Sequence, residues 1–356
     1  MSVECRRSTE TGNPESSHYF EIRYTLENEV RILNIFASDE KLVFVSQNTH
    51  RNMAALCARL TRLGPVRMGS VFRLATKNHT PLVSSVLNQV RHKSITVEQK
   101  DNGVAELTMH REPSNSWNLE FLEEFCLALE DLENNRHCRG VIIGSSLPQV
   151  FSYGLDINEY YQAKKERLRV FRRRYQEFWM RLYGSRLATI ATITGNSPGG
   201  GCLIALASDY RIMAPGFKIG YNEIKGGLLA PSWFIDTMAS VVGPHITERS
   251  VQVGLMFNAD DALRVGMVDQ VVPLEEVSAT AYDTMNLWLS VPDNVRAKAK
   301  MTMRQGLIQK LQSHREEEIR DFVVRVQKDY TQDAIEKLLK QRRERGHDTP
   351  FFWGEE

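Results

Sequence analysis

Cysteine and histidine are sparse in this chain, and neither occurs in a metal-binding pattern. The 356 residues include five cysteines, which form no CxxC pair, and nine histidines, which show no HExxH or similar spacing. Scattered cysteines are typical of free thiols in a reducing compartment. Zinc sites need several cysteine or histidine ligands at characteristic spacings. The sequence therefore predicts free thiols and no metal site.

Two further absences narrow the range of partners. The formal net charge is only +1, so bulk electrostatics gives no reason to expect DNA, RNA or an acidic membrane surface as a partner. No apolar run approaches the ~20 residues that cross a bilayer, and we expect no membrane span. Hydrophobic residues make up 42% and charged residues 25%, which is ordinary for a globular protein with one large domain or one domain with appendages.

Acidic residues are missing from residues 53–94, which carry seven lysines and arginines among Ser, Thr, Ala and Leu. Arg59 and Arg62 alternate with leucines at helical spacing, as is typical of a mitochondrial transit peptide. A flexible basic linker is the alternative interpretation. Because transit peptides act at the N-terminus, our hypothesis is that translation starts at Met53 and that residues 1–52 are an upstream extension. On this hypothesis the protein resides in the mitochondrial matrix.

The folded body is predicted to begin near Ile95. Two strands are expected around an Asn-Gly turn, at Ile95–Gln99 and Val104–Met109, because this dipeptide favours a tight hairpin. Asn118 can cap a helix that runs to about Asn135. Upstream, Phe20–Tyr24 and Leu42–Val45 are possible short strands.

Short apolar strands then alternate with helices. We predict strands at Gly140–Gly144, Leu187–Thr194, Tyr210–Met213 and Lys218–Gly220, helices to about Tyr161, over Ala163–Ser185 and over Cys202–Ser208, and a loop at Gly195–Gly201. This alternation indicates an α/β fold with largely parallel strands. After Pro231 the pattern is helical to about Arg345, so the expected organisation is a core over residues 95–290 and a helical region over residues 291–356.

The glycine triplet Gly199–Gly201 follows an apolar strand and opens an apolar helix. Small residues let a ligand carbonyl approach the backbone, and free N–H groups at a helix N-terminus favour an anion. A plain helix-entry turn is the alternative. The triplet is neither a dinucleotide fingerprint nor a phosphate-binding P-loop, because GxGxxG and GK[ST] are both absent.

Two acidic residues stand in related contexts. Asp156 follows Phe151 and Gly154 at a second strand-to-helix turn, where it could also simply complement the helix dipole. Glu223 lies among Ile, Leu and Gly in the stretch Ile219–Pro231. Apolar surroundings raise a carboxylate pKa and suit it to proton transfer near neutral pH, whereas a surface glutamate bonded to a turn is the alternative.

A basic run between Lys164 and Arg174 is opposed within the run only by Glu166. It could bind phosphates, RNA or an acidic membrane surface. The alternative is a solvated helix face whose other side, with Phe171, Tyr175 and Phe178, is buried.

Taken together and in order, these segments resemble the crotonase (enoyl-CoA hydratase/isomerase) superfamily, and within it the mitochondrial Δ3,Δ2-enoyl-CoA isomerases. The resemblance covers about Ile95 to Asp329. It rests on Asn115–Leu122, Arg139–Ile143, Phe151–Asp156, Gly199–Leu203 with Asp209–Ile212, Ile219–Pro231, Asp261–Pro273 and Pro292–Asn294. It implies a crotonase-like spiral of ββα units, a C-terminal helical oligomerisation region, usually a homotrimer, and an acyl-CoA substrate, with no cofactor beyond that coenzyme A.

The resemblance also implies roles for individual residues. The backbone N–H groups of Tyr153 and Gly200 would form an oxyanion hole for the thioester oxygen. Glu223 would move a proton from C2 to C4 of a 3-enoyl-CoA, giving the 2-trans-enoyl-CoA. Asn222 would contact the substrate, and Tyr153, Gly154, Leu155, Asp156 and Ile157 would lie along the thioester and pantetheine.

Leu203 distinguishes between activities of this superfamily. The hydratases carry a second glutamate at this position to activate water, and an apolar side chain cannot do so. Tyr153 stands where the family usually has a small residue, so the competing hypothesis is a catalytically impaired protein that binds acyl-CoA, or RNA through the basic run. A hydratase or a dienoyl-CoA isomerase is a third possibility, opposed by Leu203 and by the lack of further placed acidic residues respectively.

Overall fold

The computed structural model describes the backbone of residues 3–8, 18–26, 29–38 and 41–46, and residues 94–100 and 102–344 in full. The chain divides into two compact units, Met1–Leu87 and Asn88–Glu356. The transit-like segment apart from Ser94, and the tail from residue 345, lie outside the described residues. The domain limits at residues 52, 94 and 290 therefore remain predictions.

The first unit contains an antiparallel sheet in the order β1-β2-β3-β4. Its strands are β1 (Val3–Ser8), β2 (His18–Leu26), β3 (Glu29–Ser38) and β4 (Lys41–Ser46). The two strands predicted here lie within β2 and β4. The sequence pattern missed β1 and β3, which take part in the same ladder.

The second unit begins with the predicted hairpin, β5 (Ile95–Gln99) and β6 (Val104–Met109), whose strands pair antiparallel. The further strands are β7 (Ser116–Trp117), β8 (Gly140–Ser145), β9 (Gln149–Val150), β10 (Gly154–Leu155), β11 (Ala188–Ile193), β12 (Gly195–Pro198), β13 (Tyr210–Met213), β14 (Lys218–Gly220), β15 (Phe257–Asn258) and β16 (Gln270–Val271). The main sheet has the order β16-β13-β11-β8-β6-β5 and is parallel except at β5. A second sheet has the order β15-β14-β12-β9, and β7 pairs with β10.

Eight α-helices complete the described part of this unit. They are α1 (Leu119–Asn134), α2 (Lys165–Gly184), α3 (Gly200–Ala207), α4 (Ser232–Val253), α5 (Ala259–Arg264), α6 (Val277–Leu289), α7 (Asp293–Val326) and α8 (Asp329–Glu344). Asn118 caps α1 as predicted, since its side chain accepts from the Phe121 N–H. The C-terminal part is helical, and the predicted α/β class with a C-terminal helical region is confirmed.

Two local predictions were wrong. Gly195–Pro198 is strand β12, not loop, because it pairs in parallel with β9 and β14 on either side. The helix expected to reach Tyr161 is a single 3-10 turn, Ile157–Glu159. It stops because Gln162, with φ 49°, adopts a left-handed conformation that no helix continues through.

The basic run predicted between Lys164 and Arg174 lies in and just before α2, and much of it is paired within the chain. Arg167 bonds Glu159 and Glu120, Arg172 bonds Glu318, Arg173 bonds Glu316, and Arg174 bonds Glu123 and Glu177. The partners come from α1, α7 and the 3-10 turn Ile157–Glu159 as well as from α2 itself. The run therefore docks neighbouring helices, a role that neither sequence interpretation anticipated.

Candidate active site

The glycine triplet forms the entry to α3, where β12 ends. Gly199 has φ 54° and ψ −118°, a conformation with positive φ that L-residues with a side chain rarely adopt. A Cβ at Gly199 would lie 2.9 Å from Glu223 Oε1. Glycine is therefore required here both by the backbone and by the carboxylate that packs against it.

The two predicted turns meet through their backbones. A Cβ on Gly154 would lie 2.4 Å from the Gly200 nitrogen, and a Cβ on Gly200 would lie 2.8 Å from the Gly154 Cα. The same position on Gly200 would also lie 2.7 Å from the ring of Trp117. Trp117 is fully buried and forms the floor beneath this contact.

The Tyr153 N–H, which the sequence analysis predicted as an oxyanion-hole donor, has a hydrogen-bond acceptor inside the protein. It donates to the Ser114 carbonyl at 3.0 Å, within the protein. Three residues later, the Asp156 N–H donates to the Trp117 carbonyl at 3.1 Å, as part of the parallel pairing of β10 with β7. Because a strand bonds one neighbour through alternate residues, this register leaves the Leu155 N–H off the ladder, beside the Gly154–Gly200 contact.

A small hydrogen-bond network holds this turn. The Ser152 hydroxyl donates to the Asn115 carbonyl at 2.8 Å, and it accepts from the Trp117 indole at 2.9 Å and from the Gly154 N–H at 3.1 Å. The Asn115 side chain in turn donates to the Phe151 carbonyl at 3.0 Å. Sequence reasoning quoted these residues but assigned them no part in the site, since their partners lie over thirty residues away.

Three other predicted site residues lie nearby with partners or packing of their own. Asp156 caps the 3-10 turn through the Asn158 N–H and pairs with Arg111 at 2.9 Å, which matches its simpler structural interpretation. Ile157 is 4% exposed and packs in the core. Asn222 is 3% exposed and immediately precedes Glu223.

Glu223 begins a 3-10 turn, Glu223–Gly226, directly after β14. Its Oε2 atom is buried and has no hydrogen-bond partner within the described part of the chain. Burial raises the Glu223 pKa to about 7, with a smaller opposing effect from its own backbone N–H. The carboxylate can therefore take up and release a proton near neutral pH.

Leu203 is the residue that the family resemblance matches to the second carboxylate of the hydratases. It lies in α3 and is fully buried in the hydrophobic core. Within residues 94–100 and 102–344, no group of three or more His, Cys, Asp or Glu side chains converges as a metal site would require. No helix in the same ranges is both long and apolar enough to cross a membrane.

Two cavities meet at Glu223, each of about 120 Å³. The first cavity is lined by Leu155, Tyr160, Arg172, Tyr175, Glu223, Gly227, Leu228, Leu229, Pro231, Phe234, Phe322, Arg325, Val326, Tyr330 and Thr331. The second cavity is lined by Tyr221, Glu223, Ile224, Leu229, Ala230, Ile235, Val251 and Gln252. Of the predicted site residues, Glu223 and Leu155 line the first cavity, and the others are not among its lining residues.

The profile of the enoyl-CoA hydratase/isomerase family matches residues 99–346. The chain belongs to this family. The sequence-based resemblance is therefore confirmed.

Within the enoyl-CoA hydratase/isomerase family, the chain is similar to the human mitochondrial enoyl-CoA delta isomerase 1. The two are 41% identical over 244 residues, which cover 68% of this chain and 81% of the human protein. The crystal structure of human mitochondrial Δ3-Δ2-enoyl-CoA isomerase aligns with a TM-score of 0.70 at 39% identity, covering 71% of this chain and all of that one. An enoyl-CoA hydratase structure from Geobacillus kaustophilus aligns with a TM-score of 0.57 at 26% identity, covering 70% and 94%.

Proposed function

We propose that this protein is an isomerase that converts 3-enoyl-CoA to 2-trans-enoyl-CoA in the β-oxidation of unsaturated fatty acids. The observation that carries the proposal is the Glu223 carboxylate, buried in the wall of a cavity with a pKa of about 7. The relatives named as enoyl-CoA delta isomerases, at 39–41% identity, support the same reaction class.

Glu223 would act as the proton shuttle. As a carboxylate it would remove a proton from C2, and the electron pair left behind would delocalise into the thioester as an enolate. Protonated Glu223 would then return the proton to C4, and the double bond would move from C3–C4 to C2–C3. Because proton loss and return balance, one carboxylate suffices and no cofactor is consumed. The buried Leu203 leaves no second carboxylate at the hydratase position to activate water.

The proposed oxyanion hole differs from the sequence prediction in one residue. The Gly200 N–H is retained, since it opens α3 and the first N–H groups of a helix have no intrahelical acceptor. The Tyr153 N–H already donates to Ser114, so we assign the second donor to Leu155, which lines the first cavity. Substrate contacts at Asn222, Tyr153, Gly154, Asp156 and Ile157 remain predictions.

The direct test is turnover of 3-enoyl-CoA deuterated at C2 by the purified protein. We expect 2-trans-enoyl-CoA as the product, with a measurable fraction of the deuterium at C4, because a single buried carboxylate both takes and returns it. Product without label at C4 under rapid quench would contradict a single-group shuttle. Formation of 3-hydroxyacyl-CoA at a comparable rate would favour a hydratase, and absence of any turnover would favour the impaired binding protein.

The oxyanion assignment can be tested by replacing single backbone amides with esters, through incorporation of α-hydroxy acids. An ester at Leu155 removes the proposed donor and should reduce kcat by about 10²–10³. The matched ester at Tyr153 removes only the bond to Ser114 and should leave kcat within about threefold. The reverse order of effects would restore Tyr153 as the donor.

We also propose a mitochondrial matrix location and a homotrimer. The mitochondrial location is supported by homologues that are named as mitochondrial and by the acid-free segment at residues 53–94. The long charged helices α7 and α8 offer surfaces through which the subunits of a homotrimer could pack. N-terminal sequencing of the native protein should place the mature N-terminus downstream of Met53, and light scattering should give three times the chain mass. A mature N-terminus upstream of Met53, or a monomer, would contradict these proposals.

A further inference from the structure

The first cavity has an unexpectedly polar inner wall. Tyr160, Arg172 and Tyr175 are 5%, 3% and 3% exposed, yet all three line it. At its outer end lie Leu229 and Tyr330, which are 67% and 63% exposed. The cavity thus runs from an open mouth to a buried polar end.

Arg172 is fixed in place. Its Nε donates to both carboxylate oxygens of Glu318, at 3.1 and 3.0 Å, and its Nη2 also donates to Glu318. The Phe322 ring lies 4.4 Å from the guanidinium carbon, and Trp233 and Tyr175 lie within 5.7 Å. The inner wall is therefore rigid and its positive charge is already compensated.

Burial favours the neutral, protonated form of both tyrosines. Burial raises the pKa of Tyr160 above its usual value, against the opposing charge of Arg172. Burial also raises the pKa of Tyr175, with the nearby acidic groups acting in the same direction. Among the described residues, neither hydroxyl donates a hydrogen bond to a backbone or side-chain acceptor, although the Tyr160 hydroxyl accepts one from the Arg172 guanidinium. Each is thus an unused O–H donor at the buried end of the cavity.

A CoA thioester can enter this cavity only acyl end first. Its volume of about 120 Å³ is smaller than the ~150 Å³ cavity that admits benzene, so it has no room for the coenzyme beside an acyl chain. The coenzyme must stay at or beyond the mouth. The tyrosine hydroxyls therefore meet the distal part of the acyl chain.

An unsubstituted alkyl chain fits this wall poorly. It would displace water from two O–H donors and offer no acceptor in return, and buried polar groups left unpaired cost binding free energy. A carboxylate on the chain fits the inner wall poorly too, because Glu318 already neutralises Arg172 there and Glu223 lines the same cavity. Arg325, the other cation of the lining, is exposed to solvent. A neutral oxygen, as in a hydroxyl group, satisfies the donors without adding charge.

We propose that Tyr160 and Tyr175 form a hydrogen-bonding subsite that selects 3-enoyl-CoA substrates with a neutral oxygen on the distal acyl chain. This proposal rests on the isomerase function proposed above. The aliphatic second cavity, lined by Ile224, Ile235 and Val251, shows by contrast what a wall suited to a plain alkyl chain looks like at the same glutamate.

The test compares two isosteric substrates, 6-hydroxy-3-hexenoyl-CoA and 3-heptenoyl-CoA, which differ by a hydroxyl in place of a methyl group. We expect kcat/KM to favour the hydroxylated substrate by about tenfold, the usual effect of one or two hydrogen bonds. Tyr160→Phe and Tyr175→Phe should each reduce this preference severalfold by lowering kcat/KM for the hydroxylated substrate alone. Tyr210→Phe, in β13 away from the cavity, is the matched control and should change neither value.

A second readout does not depend on turnover. Calorimetric titration with the saturated analogues 6-hydroxyhexanoyl-CoA and heptanoyl-CoA should show the same preference and the same response to the Phe variants. Lack of turnover with retained binding preference would overturn the proposed function and leave the subsite standing. Equal affinity for both analogues, or an equal loss of affinity for both in the Phe variants, would overturn the subsite. The tyrosine hydroxyls would then donate to an acceptor on the coenzyme instead of one on the acyl chain.

Discussion

Glu223 and Glu318 are both largely shielded from solvent beside the first cavity, but their proton affinities are shifted in opposite directions. Burial raises the Glu223 pKa to about 7, and no cation is among the causes of the shift. Burial acts on Glu318 in the same direction, but the charge and hydrogen bonds of Arg172, together with Gln176, outweigh it and lower the net pKa. Burial alone yields an exchangeable proton, whereas burial beside a cation yields a permanent anion.

The largest expected effect is that of removing the exchangeable proton. Glu223→Gln should lower kcat by about 10³–10⁴, because the amide keeps the shape but cannot act as a base. The fold should be retained, since no ion pair is broken. Activity should be measured with 3-enoyl-CoA and folding by circular dichroism. Glu317→Gln, at an exposed position on α7, is the control, and retention of most activity in Glu223→Gln would refute the role of Glu223.

The next effect concerns stability rather than activity. Arg172→Met leaves Glu318 buried without its cation and should cost about 3–5 kcal/mol of unfolding free energy, whereas Arg172→Met with Glu318→Leu should recover much of this loss. The matched control is Arg173→Met. Arg173 and its partner Glu316 are 49% and 58% exposed, so that change should cost less than about 1 kcal/mol. If urea unfolding gave the same loss of unfolding free energy for Arg172→Met and Arg173→Met, burial would not be what distinguishes the Arg172–Glu318 pair from the Arg173–Glu316 pair.

The contributions of Glu223 and Glu318 to the free energy of unfolding should change with pH in opposite directions. Because the folded pKa of Glu223 lies near 7, above the reference value of 4.5, the folded state binds the extra proton. Its contribution to stability is present at low pH and is lost as pH rises through about 7. Glu223→Gln should therefore gain roughly 3 kcal/mol of unfolding free energy relative to wild type as the pH rises from about 4.5 to 7.

Glu318 should behave in the opposite way, since its folded pKa is lowered. Its contribution is present above the unfolded pKa and is lost as pH falls through the folded value. The wild-type kcat/KM should rise with pH around 7 as Glu223 ionises. A flat activity profile, or stability curves for the two variants that change in the same direction, would contradict these assignments.

The smallest expected effect tests the turn that Glu223 packs against. Gly199→Ala forces positive φ on alanine and places a methyl group 2.9 Å from Glu223 Oε1, so it should cost about 1–3 kcal/mol in stability and lower activity by displacing the carboxylate. Gly216→Ala has a similar backbone requirement, with φ 89°, but its Cβ would meet nothing within 4 Å. Gly216→Ala should therefore lower the stability through backbone strain but leave the activity unchanged.

Local sequence signals predicted local structure well. The hairpin strands β5 and β6 have the predicted limits, since alternating apolar residues around Asn-Gly act within a few positions. The cap at Asn118 and the helical C-terminal part were predicted for the same reason. Strand β12 was missed, because Gly, Asn, Ser and Pro have low strand propensity and only the flanking strands β9 and β14 make it part of a sheet.

The candidate site was predicted in part. The Gly154 and Gly200 turns meet each other and Glu223 packs against Gly199, as the order of motifs suggested. The choice between the Tyr153 and Leu155 N–H groups depended on strand register, which a short sequence segment does not reveal. The polar end of the first cavity was not anticipated, because Tyr175 was assigned only to a buried face.

By itself the sequence determined the family and the α/β class, and it led to the hypotheses that Glu223 transfers the proton and that Leu203 stands at the hydratase position. These follow from residue types at short, fixed spacings. Only the tertiary structure decided what surrounds them: Arg172 meets Glu318 across 146 residues, and Tyr160 and Tyr175 converge on one cavity. Burial and charge at a site depend on which distant elements pack together, and the pKa of a carboxylate depends on both.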